Sequence, residues 1–111
     1  MTKGLQVRSR ASQERIVLAP VELGLDSRAE FRREAFARLD GIPKGGGRLV
    51  IDVSTTRSVD STGLGALIMI QRRAAQRRLS VLLRGASEEL RFLLVLTKLD
   101  GLFEIEPLRR S

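Results

Sequence analysis

The residues of this chain that could do chemistry lie together in Val59-Asp60-Ser61-Thr62-Gly63-Leu64-Gly65. They join an apolar strand, Arg48-Leu49-Val50-Ile51-Asp52-Val53, to a helix predicted to begin near Thr62. A serine at the mouth of a helix meets unpaired N–H groups and the positive end of the helix dipole, which together favour an anion. A phosphate on Ser61 would be held there. With neither histidine nor cysteine in the chain, no Ser-His-Asp triad and no thiol chemistry can be assembled. Ser61 therefore reads as a group to be modified, not as a nucleophile.

Other candidates fall away on their spacing. Gly45-Gly46-Gly47 lacks a following Lys-Ser or Lys-Thr pair and precedes a strand, whereas a phosphate-binding loop follows one. Asp60-Ser61-Thr62-Gly63 resembles part of a nucleophile elbow, but Val59 stands where the leading glycine belongs and no base exists. Glu88-Glu89 and the Glu104, Glu106 pair suit a helix start and a strand face. No cluster has metal-ligand spacing, so no metal or cofactor is expected. Asp60 or Ser61 could also serve purely as a helix cap, worth about 1 kcal/mol.

The elements that must position Ser61 follow from periodicity and punctuation. Leu5 and Val7 alternate with polar residues, Ala11-Ser12-Gln13 offers a turn, and Ile16-Val17-Leu18 follows, which predicts a hairpin closed by Pro20. Ser27 and Glu30 have capping-box spacing and should open a helix with Phe31, Ala35, Leu39 and Ile42 inward. Gly41, Pro43 and the glycine triplet end it. Residues 48–53 read as a strand buried on both faces. The helix from about Thr62 to Arg78 should turn Leu64, Leu67, Ile68 and Ala75 inward. Ser80–Arg84 is a strand, and Ser87 can cap a third helix with Leu90, Leu93 and Leu94 inward, ending at Asp100-Gly101. Leu102–Ile105 makes a last strand. Helices between strands imply a single α/β domain over residues 1–111, with a mixed, mostly parallel sheet and helices packed against it.

Composition narrows the function class. At 111 residues, with 42% hydrophobic and 30% charged residues, the chain is a soluble globular domain burying roughly 60–70% of its unfolded surface. No apolar run approaches the ~20 residues of a membrane helix, and no signal-peptide region stands at the N-terminus, so a cytoplasmic location is expected. The net charge of +7 is mostly arginine and invites a nucleic-acid reading, with Arg72, Arg73, Arg77 and Arg78 as the patch. There is no Trp or Tyr, and Phe31, Phe36, Phe92 and Phe103 fall at expected core positions, so base stacking is not provided for. A solvated surface that aids solubility is the simpler reading.

Ile51-Asp52-Val53-Ser54 through Val59-Asp60-Ser61-Thr62-Gly63-Leu64-Gly65 resembles the STAS domain, the module of bacterial anti-sigma factor antagonists. The element order and the ending Leu99-Asp100-Gly101-Leu102-Phe103-Glu104-Ile105 are similar as well, so the likeness covers about residues 5–107. It implies a non-enzymatic binding module in which Ser61 is the phosphoacceptor of an anti-sigma factor acting as serine kinase, reset by a serine phosphatase. It also implies a partner-binding surface on Asp60, Ser61, Thr62, Gly63, Leu64 and Gly65. The unphosphorylated form would bind the partner and free the sigma factor. The chain departs from the family pattern at Thr56 and Ser58, where apolar residues are usual, and in the longer approach Val21–Asp26. The same resemblance also accommodates an accessory subunit of a lipid or anion transporter, or a stressosome-like scaffold.

Overall fold

A computed structural model describes residues 13–109. The apolar run at its centre decides the architecture. β3 (Gly47–Asp52) contributes Leu49, Val50 and Ile51, all fully buried, and so lies inside the sheet. β1 (Gln13–Leu18) flanks it on one side, and β5 (Ser80–Ala86) then β6 (Glu104–Pro107) on the other, in the order β1-β3-β5-β6. Every pair among the described residues is parallel, with Val17 opposite Ile51, Ile51 opposite Leu83 and Leu83 opposite Ile105. Thus Ile16–Leu18, predicted as half of a hairpin, lies parallel to β3. The strand expected at Leu5 and Val7 lies outside the described residues.

Three helices close one face of this sheet. Helix α1 (Arg28–Asp40) buries Phe31, Ala35 and Leu39, at the one-turn spacing of a helical stripe. Helix α2 (Ser61–Gln76) buries Leu67, Ile70 and Ala74, with Leu64 at the edge of the stripe. Ile68 and Ala75, expected inward, lie beyond that edge; Ile68 is half-buried and Ala75 exposed. Helix α3 (Glu88–Leu96) buries Leu90 and Leu94, and Leu93 packs partly against the same core. These side chains meet Val17, Leu49, Ile51, Val81 and Leu83 from the alternate positions of the strands.

On the opposite face of the sheet Val50 and Leu82 are buried, whereas Ile16 and Leu18 on β1 are 52% and 61% exposed. Arg48 spans the strands, donating to Glu14 at 2.7 Å and to Glu104 at 2.8 Å. Both pairs are exposed, so they order the surface more than they stabilise it.

Three further expectations give way to tertiary context. Phe92, placed in the core by sequence, is 66% exposed, because the buried stripe of α3 runs through Leu90 and Leu94. α3 stops at Leu96, capped by Thr97, and Lys98 takes a left-handed conformation (φ 62°). Residues Asp100–Leu102 then form a separate 3-10 turn, so the last strand begins only at Glu104, after the buried Phe103. Finally, the capping box at Ser27 and Glu30 does not form. The Ser27 hydroxyl donates instead to the Glu22 carbonyl at 2.7 Å and accepts from the Gly24 N–H at 3.1 Å.

Candidate functional site

Ser61 is the first residue of α2 and is exposed to solvent. The residue before it does the capping. Asp60 has extended backbone geometry (φ −93°, ψ −175°), and its Oδ1 accepts from the Gly63 N–H at 2.9 Å and from the Thr62 hydroxyl at 2.6 Å. An aspartate here satisfies an orphan donor and places its charge against the positive end of the helix. Thr62 donates its hydroxyl proton in the same arrangement. Among the described residues nothing hydrogen-bonds the Ser61 hydroxyl, which leaves it free. The Thr62 hydroxyl and then the Gly63 N–H hold the Asp60 carboxyl below its ordinary range, so it is a carboxylate at neutral pH.

The loop before Asp60 is fixed by an element too short to be seen in the sequence. β2 (Glu22–Leu23) and β4 (Ser58–Val59) form a two-residue parallel pair beside the main sheet. The Arg57 N–H donates to the Val21 carbonyl at 2.7 Å, and the Asp60 N–H to the Leu23 carbonyl at 3.2 Å. The Thr56 hydroxyl donates to the Pro20 carbonyl at 2.9 Å. The approach segment 21–26 is thereby tied to the serine turn, and the two form one surface.

Two glycines make this junction possible. A Cβ on Gly63 would lie 2.2 Å from the Leu23 carbonyl oxygen, and one on Gly24 would lie 2.4 Å from the Asp60 carboxylate. The family resemblance puts Gly63 and Gly65 on the partner-binding surface. Gly63 is buried and admits the backbone of this chain's own Leu23 instead. Gly65, by contrast, faces open space, with nothing within 4 Å of where its Cβ would be. Leu64 is buried as well, at 9% exposure. Of the six residues predicted to meet a partner, Asp60, Ser61, Thr62 and Gly65 reach the surface, while Gly63 and Leu64 support them from behind.

Beside the serine lies a cleft of about 490 Å³ between residues 22–27 and 58–60. Its carboxylates are Glu22, Asp26 and Asp60, and its hydroxyls Ser27 and Ser58. Among the described residues no group of three or more His, Cys, Asp or Glu is placed to hold a metal ion. The Gly63 N–H is already taken by Asp60, so a phosphate on Ser61 would find fewer free donors than a bare helix end offers. It would also stand next to a carboxylate.

A family model spans this turn together with most of the chain. The model described as "Mlab, STAS domain" matches residues 6–107. The chain belongs to the STAS domain family. Solved structures share the fold of this STAS domain. The crystal structure of TM1081, a candidate anti-sigma factor antagonist from Thermotoga maritima, is 24% identical with a TM-score of 0.68, over 82% of this chain and 78% of that one. The murine anion transporter Slc26a9 matches at 17% identity and a TM-score of 0.70, over 88% of this chain but 17% of the transporter. A sulfate transporter family protein from Wolinella succinogenes matches at 18% identity and a TM-score of 0.60, over 87% and 78%. At these identities the likeness is one of fold. A search of curated protein sequences finds no match. No helix among the described residues is long and apolar enough to cross a membrane.

Proposed function

We propose that this STAS domain is an anti-sigma factor antagonist, a binding module without catalysis of its own, switched by phosphate on Ser61. The observation that carries the reading is the division of labour at the start of α2. Asp60 caps the helix and Thr62 is bonded to Asp60, so the exposed Ser61 hydroxyl is free of structural duty. Phosphorylation there adds a charge of about −1.5 to −2 at pH 7, beside a carboxylate that is already ionised. A partner surface fitted to a small neutral hydroxyl would meet repulsion and a desolvation cost. Each 1.4 kcal/mol so lost weakens binding about tenfold. The partner in this reading is an anti-sigma factor acting as serine kinase, opposed by a serine phosphatase, in the cytoplasm.

A second reading, accessory subunit of a lipid or anion transporter, is favoured by the transporter names of two structural neighbours. Purification from the protein's own cells, with tagged Ser61→Ala and Ser61→Asp chains side by side, separates the two readings. The antagonist reading expects a kinase-like anti-sigma factor on the Ala variant and little of it on the Asp variant. Transporter subunits on the Ala variant would establish the second reading and displace the first.

A further inference from the structure

The arginine excess of this chain is not spread evenly over its surface. The turn after α1 and the C-terminal end of α2 are knitted together, with the Gly45 N–H donating to the Arg77 carbonyl at 2.8 Å. Arg73 pairs with Asp40 at 3.0 Å and lies over the Phe36 ring, 4.7 Å from its centroid. Around this knot stand Arg15, Arg38, Lys44, Arg72, Arg77 and Arg78. Three of them are held by neutral carbonyls. Arg15 donates to Gly41 at 3.3 Å, Arg38 to Ile16 at 3.1 Å and Arg77 to Ile42 at 2.7 Å. Carbonyls fix a guanidinium in place without cancelling its charge. Among the described residues none of the six has a carboxylate within salt-bridge distance; the arginines that do are Arg48, Arg73 and Arg84. The two helix C-termini at this end offset only about half a charge each.

The other end of α2 is different. Sixteen residues of helix, about 24 Å, separate this basic end from Ser61, where Glu22, Asp26 and Asp60 stand against Arg28 and Arg57. The domain therefore has a basic pole at the far end from its candidate switch.

We infer that this basic pole, formed by the end of α2 and the turn after α1, docks on an anionic phospholipid surface and leaves Ser61 facing away from it. A lipid surface fits the pole better than a nucleic acid does. Phe31 and Phe103 are buried and Phe36 is half-covered beneath Arg73; the fourth ring, Phe92, is exposed but lies on α3, outside the elements that form the pole, so those elements offer no free ring for base stacking. Among the described residues it is built from a turn and helix ends, with no helix or ribbon projecting to enter a groove. A charged bilayer asks only for several cations brought within a Debye length of it. The inference does not depend on the partner reading at Ser61.

The test is flotation of the whole chain with vesicles, at about 0.1 M salt, where the Debye length is about 10 Å. One set is phosphatidylcholine alone, the other two parts phosphatidylcholine to one part phosphatidylglycerol. The wild type should float with the mixed vesicles and not with the neutral ones. Removing a basic charge near the surface costs about fivefold, so Arg72→Gln with Arg78→Gln should lower the partition coefficient about 25-fold. Arg28→Gln with Arg57→Gln, at the other end, should change it less than about twofold, and Ser61→Asp should leave it unchanged. Thermal midpoints confirm that each variant is folded. Failure of the wild type to float with the mixed vesicles overturns the inference, as does equal loss in the two double variants. Binding of a DNA duplex at a lower phosphate concentration than the mixed vesicles require would assign the pole to nucleic acid instead.

Discussion

α2 and α3 both begin at a turn that carries a serine, and the two turns use it in opposite ways. At α3, Ser87 is itself the cap; its hydroxyl accepts from the Leu90 N–H at 3.1 Å, and Glu88 and Glu89 place charge against the helix end. At α2 the cap is Asp60, and the first turn of the helix has no acidic residue. The serine has moved one position into the helix, where its hydroxyl is not needed. A third serine, Ser27, is also employed, bonded at both Glu22 and Gly24. The Ser61 hydroxyl is therefore left free because another residue has taken over the capping, whereas Ser27 and Ser87 are engaged.

The largest expected effect comes from breaking the junction beneath the site. Gly63→Ala forces a methyl group against the Leu23 carbonyl, and backbone cannot yield as a flexible side chain would. Overpacking of this kind costs about 2–3 kcal/mol, readable as a lower urea midpoint. Gly65→Ala, two residues on and in open space, is the matched control and should be neutral to slightly stabilising, since alanine favours a helix interior over glycine by about 0.5–1 kcal/mol.

Next is the pH dependence of the α2 cap. Folding holds the Asp60 carboxyl below its ordinary value of 3.8, through the Thr62 hydroxyl first and the Gly63 N–H second. Such a group stabilises the fold fully above its unfolded value, and the contribution disappears as pH falls through the folded one. Asp52 is lowered in the same direction by the hydroxyl and N–H of Ser54. Stability should therefore hold near neutrality and fall as pH drops below about 4. In Asp60→Asn that acid loss should be smaller but not absent, because Asp52 still contributes. An unchanged acid profile in Asp60→Asn would show that the cap is not electrostatic.

Much of this comparison was legible in the sequence, for identifiable reasons. Leu49-Val50-Ile51 is too apolar to be anything but an interior strand, and it fixes where the serine turn must emerge. Ser87 with Glu88 and Glu89 reads as a helix start and is one. The same reasoning misplaced Ser27, because local spacing cannot reveal that a hydroxyl will be claimed by Glu22, five residues away. It misplaced Phe92 because a nine-residue helix buries only a narrow stripe. The β2–β4 pair was invisible, since two residues carry no periodicity. As a result, Gly63 was assigned to a partner when its space is taken by Leu23. The placement of Asp60, Ser61 and Thr62 at an exposed helix start was accessible to sequence because a cap depends on chemistry within three residues.

The smallest stability effects bear on the comparison directly. Ser87→Ala removes a working cap and should cost about 1 kcal/mol. Ser61→Ala removes a hydroxyl with no structural partner and should lie within about 0.5 kcal/mol of the wild type. Equal losses in the two variants would mean that Ser61 supports its helix after all.

The proposed switch needs a free Ser61 hydroxyl whose phosphorylation a partner senses while the fold does not. Calorimetric affinity for the partner recovered from the protein's own cells, measured with Ser61→Ala and Ser61→Asp beside their thermal midpoints, tests that claim most directly. The Ala variant should bind as the wild type does. The Asp variant should bind at least about tenfold more weakly, with its thermal midpoint unchanged. If both variants stay folded and bind alike, Ser61 is not a switch.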